Sequence, residues 1–446
     1  MTEQRITPRT LKGFRDFLPE VMIPRERLIE TARTVYRSYG FVPIETPTLE
    51  YSEILCGKGG EESDRQMFRF EDHGGRDVGM RFDLTVPLAR YAAQHANDLG
   101  LPFKRYHIGT VWRGEKPQVG RYREFAQCDF DTIGTTSIAS DIETALVIHD
   151  LMQAIGFKKF NIRVNNRKVL NGLLEKFNVA DQSVAVLRAI DKLPKIGREK
   201  VHTEISGSTK INDQQIDQIL SLAEIRGDQN QVIEQLKPIC QDNEQAEQGL
   251  DELIALTRAT QSVGVSQEQL SIDISIARGL DYYTGTIFET FLDDLPKIGS
   301  ICSGGRYDNL ADLFTKQALP GIGASLGLDR LLAAMQTLEM LPVQKTTADV
   351  LIVQFDADRL SDYFKIAGHL RSAGISTEVY PEAKRVGQQF KYADRRGFQA
   401  VIVAGSNELE SGRIQLKWLA DGKQHDLSSG DDCVEVIQWL TEKLVK

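Results

Sequence analysis

The peptide RGLDYYTG, residues 278–285, places a guanidinium, a carboxylate and two phenols in one short turn. Arg278 could hold an anionic group, and the rings of Tyr282 and Tyr283 could pack on and hydrogen-bond to a flat polar ring. The preceding run LSIDISI is strand-like, which would put Arg278 at the end of a strand. In isolation, a hairpin turn with an Arg278–Asp281 ion pair and core tyrosines would also explain the peptide.

A second candidate segment, residues 113–131, joins two predicted strands through a basic loop. On its second strand the odd-numbered side chains share one face, namely those of Arg121, Arg123, Phe125, Gln127, Asp129 and Asp131. Gln127 and Asp131 would lie about 13 Å apart, which is enough to bracket a small amino acid. Together with Arg113, the two arginines offer guanidinium forks suited to phosphate oxygens. A solvated sheet face with surface arginines is the alternative interpretation.

The segment MRFDLTVPLARYAA, residues 80–93, predicts a strand that turns into a helix. Asp83 and Thr85 would share a strand face, and Thr85 is a plausible N-cap because Pro87 follows in the first turn. Asp83 caps nothing obvious in this interpretation. Its carboxylate could instead receive a substrate ammonium group.

In GIGASLGLDRLL, residues 321–332, strand alternation leaves one face bare, because its positions are Gly321, Gly323, Ser325 and Gly327. A flat ligand could approach the backbone there, with Arg330 of the following helix overhanging it. The alternative is a glycine-weakened strand packed under a helix. The segment contains no Walker-type phosphate loop.

The elements that must position these residues predict an α+β protein. A helix over residues 24–39 precedes a strand-rich stretch, 66–131, and polar helical patterns fill residues 168–262. Strands resume at 270, and β-α-β-α-β alternation after a linker predicts a separate α/β domain of about 100 residues. The predicted domains are 1–167, 168–262, 263–342 and 348–446, of which the second is a helical insertion into the core.

The composition of the 446-residue chain is that of a globular protein, with 41% hydrophobic and 26% charged residues. A formal net charge of −9 means that any polyanionic partner must use a local basic patch. The five cysteines form no C-x-x-C pair, which argues against a zinc site or a disulfide framework and suits a reducing cytosol. No apolar run is long enough for a membrane span, so we expect a soluble, cytoplasmic protein without a membrane partner.

Taken together, these segments resemble the histidyl-tRNA synthetases, which are class II aminoacyl-tRNA synthetases. RGLDYYTG and SICSGGRYD are similar to the two signature peptides of that family, and the likeness covers nearly the whole chain. GFVPIETPTLE, with Pro47, resembles motif 1 of the homodimer interface, VWRGE through CDFD resembles motif 2, and GIGASLGLDR resembles motif 3. The resemblance implies an antiparallel-sheet catalytic core with a helical insertion and a C-terminal α/β anticodon-binding domain.

The resemblance also implies roles for individual residues in ATP binding. Arg113 would hold the α-phosphate and the histidine carboxylate, and Glu115 would lie near the adenine amino group. Phe125 and Arg330 would sandwich the adenine ring, while Arg121 would reach the outer phosphates. Magnesium would accompany ATP as part of the substrate, through ligands that the sequence leaves unknown.

For L-histidine, the resemblance implies that Asp83, Thr85 and Gln127 surround the α-ammonium group. Asp131 and Tyr283 would contact the imidazole nitrogens beside Tyr282. Arg278 would be a catalytic cation next to the reacting carboxylate and phosphate. Asp83 and Asp131 stand where many bacterial relatives carry glutamate, and in this respect they look more like the eukaryotic and archaeal form.

The implied function is the ATP-dependent ligation of histidine to tRNA-His through histidyl-adenylate. The main alternative is the histidine-binding regulatory subunit of ATP phosphoribosyltransferase, which generally lacks both the anticodon domain and the RGLDYY peptide. A class II synthetase for proline or threonine and a pure interaction protein are further alternatives. In the last domain, Gln389, Lys391, Arg395 and Arg396 would lie on a helix that contacts tRNA or forms a solvated face.

Overall fold

The computed structural model describes residues 6–56, 61–118, 120–276, 282–341 and 344–444. The chain forms two compact units, of which the first comprises residues 1–15 and 28–340 and the second comprises residues 16–27 and 341–446. Within the described ranges, no helix is both long and apolar enough to cross a membrane.

The strands of the first unit belong to an eight-stranded sheet and a small three-stranded sheet. In chain order they are β1 (Val42–Pro43), β2 (Leu49–Tyr51), β3 (Arg69–Glu71), β4 (Asp77–Met80), β5 (Phe103–Trp112), β6 (Glu124–Ile133), β7 (Phe160–Asn166), β8 (Leu270–Ile272), β9 (Thr286–Leu292), β10 (Cys302–Tyr307) and β11 (Gly321–Gly327).

The large sheet has the order β1-β5-β6-β11-β10-β9-β7-β8. Only the outer pairs β1–β5 and β7–β8 are parallel, and the strands from β5 to β7 pair antiparallel. The predicted antiparallel core is therefore confirmed. The register sets Asp131 of β6 between Arg105 of β5 and Gly323 of β11, and it sets Gln127 opposite Gly327.

Helices cover the sheet and form a long excursion from it. They are α1 (Pro19–Ser38), whose residues are divided between the two units, α2 (Ser52–Leu55), α3 (Glu61–Gln66), α4 (Thr85–Gln94), α5 (Ile138–Ile155), α6 (Arg167–Lys176), α7 (Ser183–Ile190), α8 (Leu193–Ile196), α9 (Arg198–Ser208), α10 (Asp213–Ala223), α11 (Gln229–Cys240), α12 (Glu244–Ser262) and α13 (Leu328–Thr337).

One face of the large sheet is packed into an apolar core. Cys128 and Phe130 of β6 are fully buried there, as are Ile322 and Leu326 of β11. The ring of Tyr36 in α1 packs 5.1 Å from that of Phe130, and its hydroxyl donates to the carbonyl of Cys128 at 2.9 Å. These alternate residues match the predicted core face, which leaves the opposite face of the same strands to polar side chains.

The excursion from Arg167 to Ser262 consists of helices α6 to α12. Its helix ends follow local rules, since the side chains of Asn212 and Asp228 accept hydrogen bonds from the third helical residue in reciprocal capping boxes. Asn166 caps α6 through a side-chain oxygen that accepts the backbone N–H of Lys168, and its amide donates to Glu252 of α12 at 2.7 Å. This bond ties the excursion to the end of β7.

The strand predicted over LSIDISI is shorter than expected, because β8 ends at Ile272. The carboxylate of Asp273 accepts the backbone N–H of Ser275 at 3.0 Å and its hydroxyl at 2.6 Å. This side-chain turn competes with the strand ladder. The prediction that a strand runs up to Arg278 was therefore wrong, and Arg278 and Asp281 themselves lie outside the described residues.

The second unit is a five-stranded sheet with the order β13-β12-β14-β15-β16, of which the first three strands are parallel. The predicted β-α-β-α-β alternation is confirmed. The elements are β12 (Val350–Ile352), α14 (Leu360–Ser372), β13 (Thr377–Val379), α15 (Val386–Arg396), β14 (Ala400–Val403), α16 (Ser406–Glu410), β15 (Arg413–Trp418), β16 (Gln424–Ser428) and α17 (Val434–Leu444).

Candidate active site

A cleft of about 600 Å³ opens over the polar face of β6, β10 and β11. All five residues predicted for ATP line it, although they come from two separate stretches of sequence: Arg113, Glu115, Arg121, Phe125 and Arg330. Gln127, predicted for histidine, lines the same cleft with Ser325 and Gly327. The bare face predicted for the GIGASLG strand is therefore part of the floor of a cavity.

The guanidinium of Arg113 is held between two aromatic rings. It lies 4.4 Å from the ring centre of Phe82 and 5.1 Å from that of Phe125. Its Nε donates to the carbonyl of Phe82 at 3.1 Å. Burial lowers the pKa of Arg113, and the nearby carboxylates of Asp83 and Glu115 act in the opposite direction. A cation fixed in this way is oriented before any ligand arrives.

Arg121 and Arg123, in the loop before β6, were both predicted to bind phosphate oxygens, but their surroundings differ. Arg121 is 41% exposed at its side chain and lies 3.6 Å from Glu115 across the cleft wall. Arg123 instead donates through Nε to the carbonyl of Glu115 at 3.2 Å and through its backbone N–H to Gly13 at 2.9 Å. Arg123 does not line the cleft, so the expectation that it offers a phosphate fork was wrong: its guanidinium supports the loop.

Asp329, which the sequence did not single out, anchors α13 beside the cleft. Its two carboxylate oxygens accept from Arg15 at 2.5 Å and from the backbone N–H of Ala126 at 2.8 Å. Arg330 follows directly and donates to the carbonyl of Ser300. The start of α13 is thus tied to β6, which sets Arg330 at the edge of the cleft, as predicted from the overhang of the helix.

Farther along the same face of β6 is a cluster of buried polar side chains around Asp131, which we call the pocket. The carboxylate of Asp131 lies 2.6 Å from the guanidinium of Arg105 and accepts the hydroxyl of Tyr307 at 2.5 Å. Burial raises its pKa, and the charge of Arg105 and the Tyr307 bond lower it. A Cβ at Gly323 would collide with this carboxylate, so glycine is required there. Asp131 is thereby fixed in one orientation.

Asp83 also belongs to the pocket, but it lies in a local structure that the sequence did not predict. The strand β4 ends at Met80, and α4 begins at Thr85 after an irregular segment. The carboxylate of Asp83 accepts the backbone N–H groups of Thr85 at 3.1 Å and Val86 at 2.9 Å, so it caps the helix. The predictions that Thr85 is the N-cap and that Asp83 caps nothing were wrong. Burial raises the pKa of Asp83, while its bond to Val86 lowers it.

The two tyrosines of the peptide RGLDYYTG, Tyr282 and Tyr283, also belong to this pocket. Burial raises the pKa of Tyr282, and the nearby Thr85 side chain acts against this rise. The ring of Tyr282 packs edge-on against that of Tyr283 at 5.1 Å. The Tyr283 ring lies over Gly305, where a Cβ would come within 3.0 Å of it. Burial raises the pKa of Tyr283 above its usual value, and the charge of Asp131 acts in the same direction. The phenol therefore remains a hydrogen-bond donor.

Gln127 lies between the cleft and the pocket. Its Nε2 donates to the hydroxyl of Ser325 at 2.6 Å, and its Oε1 is buried without a hydrogen-bond partner among the described residues. The residues predicted for ATP thus line the cleft together with Gln127, and Asp131 follows on the same face of β6.

Several residues of this surface were missed or given no role from the sequence: Arg105, Asp129, Tyr307, Ser325 and Asp329. Arg105 lies in the strand-like run FKRYHIGTVW, and a charged side chain in the middle of a predicted strand was an available signal for a buried ion pair. The others needed the pairing of β6 with β11, which local patterns do not give.

In the second unit, the four residues predicted for the helix that became α15 do not share an environment. Gln389 is fully buried, and its amide bonds to the backbone of Gln354 at 3.0 and 2.8 Å. The expectation that Gln389 lies on the surface of this helix was therefore wrong. Lys391 and Arg395 are exposed, one helical turn apart.

Comparison with known proteins assigns both units. Residues 13–331 match the sequence model of the family described as histidyl-tRNA synthetase, and residues 346–440 match that of the anticodon binding domain. A relative from Rhodopirellula baltica, named histidine–tRNA ligase, is 58% identical over 98% of this chain and 100% of its own length.

Two solved structures are informative about the fold. The histidyl-tRNA synthetase of Nostoc sp. PCC 7120 superimposes with a TM-score of 0.89 at 35% identity, over 98% of this chain and all of its own. A Bacillus halodurans protein titled an ATP phosphoribosyltransferase regulatory subunit/histidyl-tRNA synthetase shares the fold at 23% identity, with a TM-score of 0.74 over 90% of this chain and 99% of its own. On the family match and the full-length identity, this chain belongs to the histidyl-tRNA synthetase family.

Proposed function

We propose that the cleft binds ATP and the pocket farther along β6 binds histidine, so that the two substrates meet at Arg113. As a member of its family, the chain ligates histidine to tRNA-His and uses ATP to do so. The observation that carries the assignment of the site is the position of Gln127. It lines the cleft, while Asp131, four residues along the same strand face, lies in the buried pocket.

The adenosine part of ATP fits the outer cleft. Phe125 and Arg330 offer an aromatic face and a guanidinium plane between which an adenine ring can stack. Glu115 would accept from the adenine amino group. Arg121, half exposed and paired only loosely with Glu115, can turn to the outer phosphates.

Histidine fits the pocket through both of its polar ends. Gln127 Oε1 lacks a partner among the described residues, and with Asp83 and Thr85 it would receive the α-ammonium group. Asp131 and Tyr283 would contact the imidazole nitrogens, and Tyr282 would pack beside the ring. Because Asp131 is already oriented by Arg105 and Tyr307, the ring meets a preformed acceptor.

The first chemical step joins two anions and therefore needs cations more than a base. An oxygen of the histidine carboxylate attacks the α-phosphorus, the bond from that phosphorus to the outer phosphates breaks, and diphosphate leaves. Arg113 stabilises the charge that develops on the α-phosphate. The assignment of Arg278 to the same task rests on the sequence motif alone.

The second step transfers histidine to tRNA. A terminal ribose hydroxyl of tRNA-His attacks the carbonyl carbon of histidyl-adenylate, loses its proton and releases AMP. We propose Mg²⁺ as the divalent ion, which arrives with ATP and is bound chiefly by phosphate oxygens. Exposed Lys391 and Arg395 are candidate contacts of the second unit with tRNA. A cytoplasmic location stays a prediction from the sequence.

A homodimer is supported by apolar side chains around motif 1. Val42, Leu49 and Tyr51 are each nearly half exposed, and Pro47 beside them is exposed as well. Exposed apolar side chains of this kind are what a protein interface would bury. Sedimentation should give twice the monomer mass of 50.0 kDa, and Leu49→Lys should shift the protein towards the monomer. A wild-type monomer would contradict the proposal.

The regulatory-subunit alternative is disfavoured by the second unit, which matches an anticodon-binding domain over residues 346–440. The deciding experiment is ATP–pyrophosphate exchange with each of the twenty amino acids, followed by charging of tRNA-His. We expect exchange with histidine alone and then charging. Histidine binding without exchange would favour the regulatory alternative and remove every catalytic assignment.

A further inference from the structure

Asp129 is the carboxylate of the pocket that the proposed mechanism does not use. It lies between Gln127 and Asp131 on the same face of β6 and is only 2% exposed. Asp83 caps a helix, and Asp131 is paired with Arg105 and accepts from Tyr307. Among the described residues, Asp129 forms no ion pair with an arginine or lysine, and its Oδ1 has no hydrogen-bond partner. Burial of a carboxylate with unused acceptor capacity is costly, so its retention calls for an explanation.

One contact of Asp129 leads to the substrate. Asp129 and Ser325 are direct cross-strand partners on β6 and β11, close enough for the Ser325 hydroxyl to act on the carboxylate as a donor and lower its pKa. The same hydroxyl accepts Nε2 of Gln127 at 2.6 Å. The three side chains therefore form a short chain of hydrogen bonds that runs from a buried carboxylate to the edge of the cleft.

The available protons determine which group donates and which accepts in this chain of hydrogen bonds. A serine hydroxyl has one proton to donate, and an ionised carboxylate can only accept. Ser325 must therefore give its proton to Asp129 and accept from Gln127. A side-chain amide that uses its NH₂ group in this way turns its oxygen to the opposite side. Oε1 of Gln127 is the buried acceptor without a partner described above.

We propose that Asp129 is a positioning residue: acting through Ser325, it holds the amide of Gln127 with Oε1 towards the α-ammonium group of the amino acid. The inference rests on the proposed binding of that ammonium by Gln127. With the amide reversed, its NH₂ group would face the ammonium, and two donors cannot bond to each other. Asp129 would thereby influence a substrate group through two intervening side chains.

This arrangement of donors and acceptors requires that Asp129 is ionised, and the charges around it determine the pH at which it is. Burial raises the pKa of Asp129 to about 7; Arg105 acts against this rise, and Asp131 and Asp83 add to it. His107, opposite Asp129 on β5, stays neutral because burial and the nearby arginines lower its pKa to about 3. An entering ammonium group favours the ionised form of Asp129 further. At pH 8, measurements are therefore made with Asp129 mainly ionised.

The test compares two ligands that differ only in the ammonium group, L-histidine and its deamino analogue 3-(imidazol-4-yl)propionate, by calorimetry at pH 8. The dissociation constant of the analogue divided by that of histidine measures how much the ammonium group contributes to binding. Asp129→Asn should reduce this ratio about tenfold, since the new amide can donate to Ser325 and reverse the chain. Ser325→Ala should also reduce the ratio, although the carboxylate charge is kept. Ser325→Thr, which keeps the hydroxyl, should leave the ratio at its wild-type value.

Asp131→Asn is the matched control, since it makes the same change two residues along the strand. It should weaken both ligands by a similar factor and leave the ratio unchanged. If Ser325→Ala leaves the ratio of wild type while Asp129→Asn lowers it, the effect is one of charge and the relay is overturned. Equal losses for both ligands in Asp129→Asn would also overturn it. A wild-type protein with no preference for histidine would overturn both the relay and the proposed role of Gln127.

Discussion

The cleft proposed for ATP and the pocket proposed for histidine share strand β6, yet their side chains differ in burial and in partners. In the cleft, Arg121 is 41% exposed and 3.6 Å from its acidic neighbour, so it can change partner when a phosphate arrives. In the pocket, Asp131 lies between Arg105 at 2.6 Å and Tyr307 at 2.5 Å, away from solvent. The cleft keeps Arg121 available for the ligand, whereas the pocket has paired Asp131 in advance.

This difference has a consequence for mutants. Side chains that wait for a ligand contribute to turnover and little to folding. Side chains that are paired and buried contribute to both, because removal of one partner leaves a buried charge uncompensated. Changes at Arg121 should therefore separate activity from stability, and changes in the pocket should not.

The largest effect is expected for Arg113→Gln. Loss of a preoriented cation at the developing charge should lower the exchange rate about 1,000-fold. The thermal midpoint should fall as well, because the substitution removes the packing of Arg113 between Phe82 and Phe125. Arg413→Gln, which removes an exposed arginine of the second unit, should leave exchange at the wild-type rate. Near-normal exchange by Arg113→Gln would remove Arg113 from the mechanism.

The next largest effect is expected for Arg105→Met in the pocket. Arg105 is fully buried, and its loss leaves Asp131 without its counter-ion. We expect the free energy of unfolding to fall by about 3 kcal/mol, together with the affinity for histidine. Arg121→Met in the cleft is the comparison, with an expected loss within about 0.5 kcal/mol. Equal losses in urea denaturation would abolish the distinction between the two regions.

A smaller effect should appear as a pH dependence of stability. The folded pKa of His107 is lowered to about 3, so below pH 6.5 the unfolded chain binds a proton that the folded chain refuses. Stability is thus lost as the pH falls from about 6.5 towards 3. Between pH 7 and 5, wild type should lose about 2 kcal/mol relative to His107→Gln. His73→Gln, at an exposed position, should behave as wild type, and parallel profiles for all three proteins would contradict this.

The smallest effect is expected for Tyr283→Phe, which removes one hydroxyl from the proposed imidazole site. Histidine should bind about fivefold more weakly, the equivalent of about 1 kcal/mol for one hydrogen bond. The KM for ATP should not change, because the ring lies in the pocket over Gly305 and away from the cleft. An unchanged affinity for histidine would place the contact to the imidazole elsewhere.

The sequence predicted the cleft better than the pocket, for a physical reason. Alternation along a strand is a local property, so the shared face of Phe125, Gln127 and Asp131 and the packed face of Cys128 and Phe130 could be predicted. The antiparallel core, the helical excursion and the α/β unit also followed from local periodicity and from the resemblance. Every described residue predicted for ATP lies in the cleft.

The partners inside the pocket could not be predicted in this way. Tyr307 bonds to Asp131 across 176 residues of sequence, and Ser325 bonds to Gln127 across 198. Asp83 was misjudged because the strand was expected to continue to Thr85, whereas the chain leaves β4 at Met80 and uses the carboxylate as a helix cap. Strand pairing and chain direction are tertiary properties, and they decide which polar group meets which.

One measurement tests directly whether the cleft and the pocket form a single site. A histidyl-adenylate analogue with a sulfamate in place of the phosphate would be titrated by calorimetry, alone and in competition with adenosine and with histidine. We expect it to displace both, and to bind more tightly than either by several orders of magnitude, because one ligand then fills both regions. Displacement of only one of the two, or an affinity no better than that of histidine, would show that the cleft and the pocket do not act as one active site.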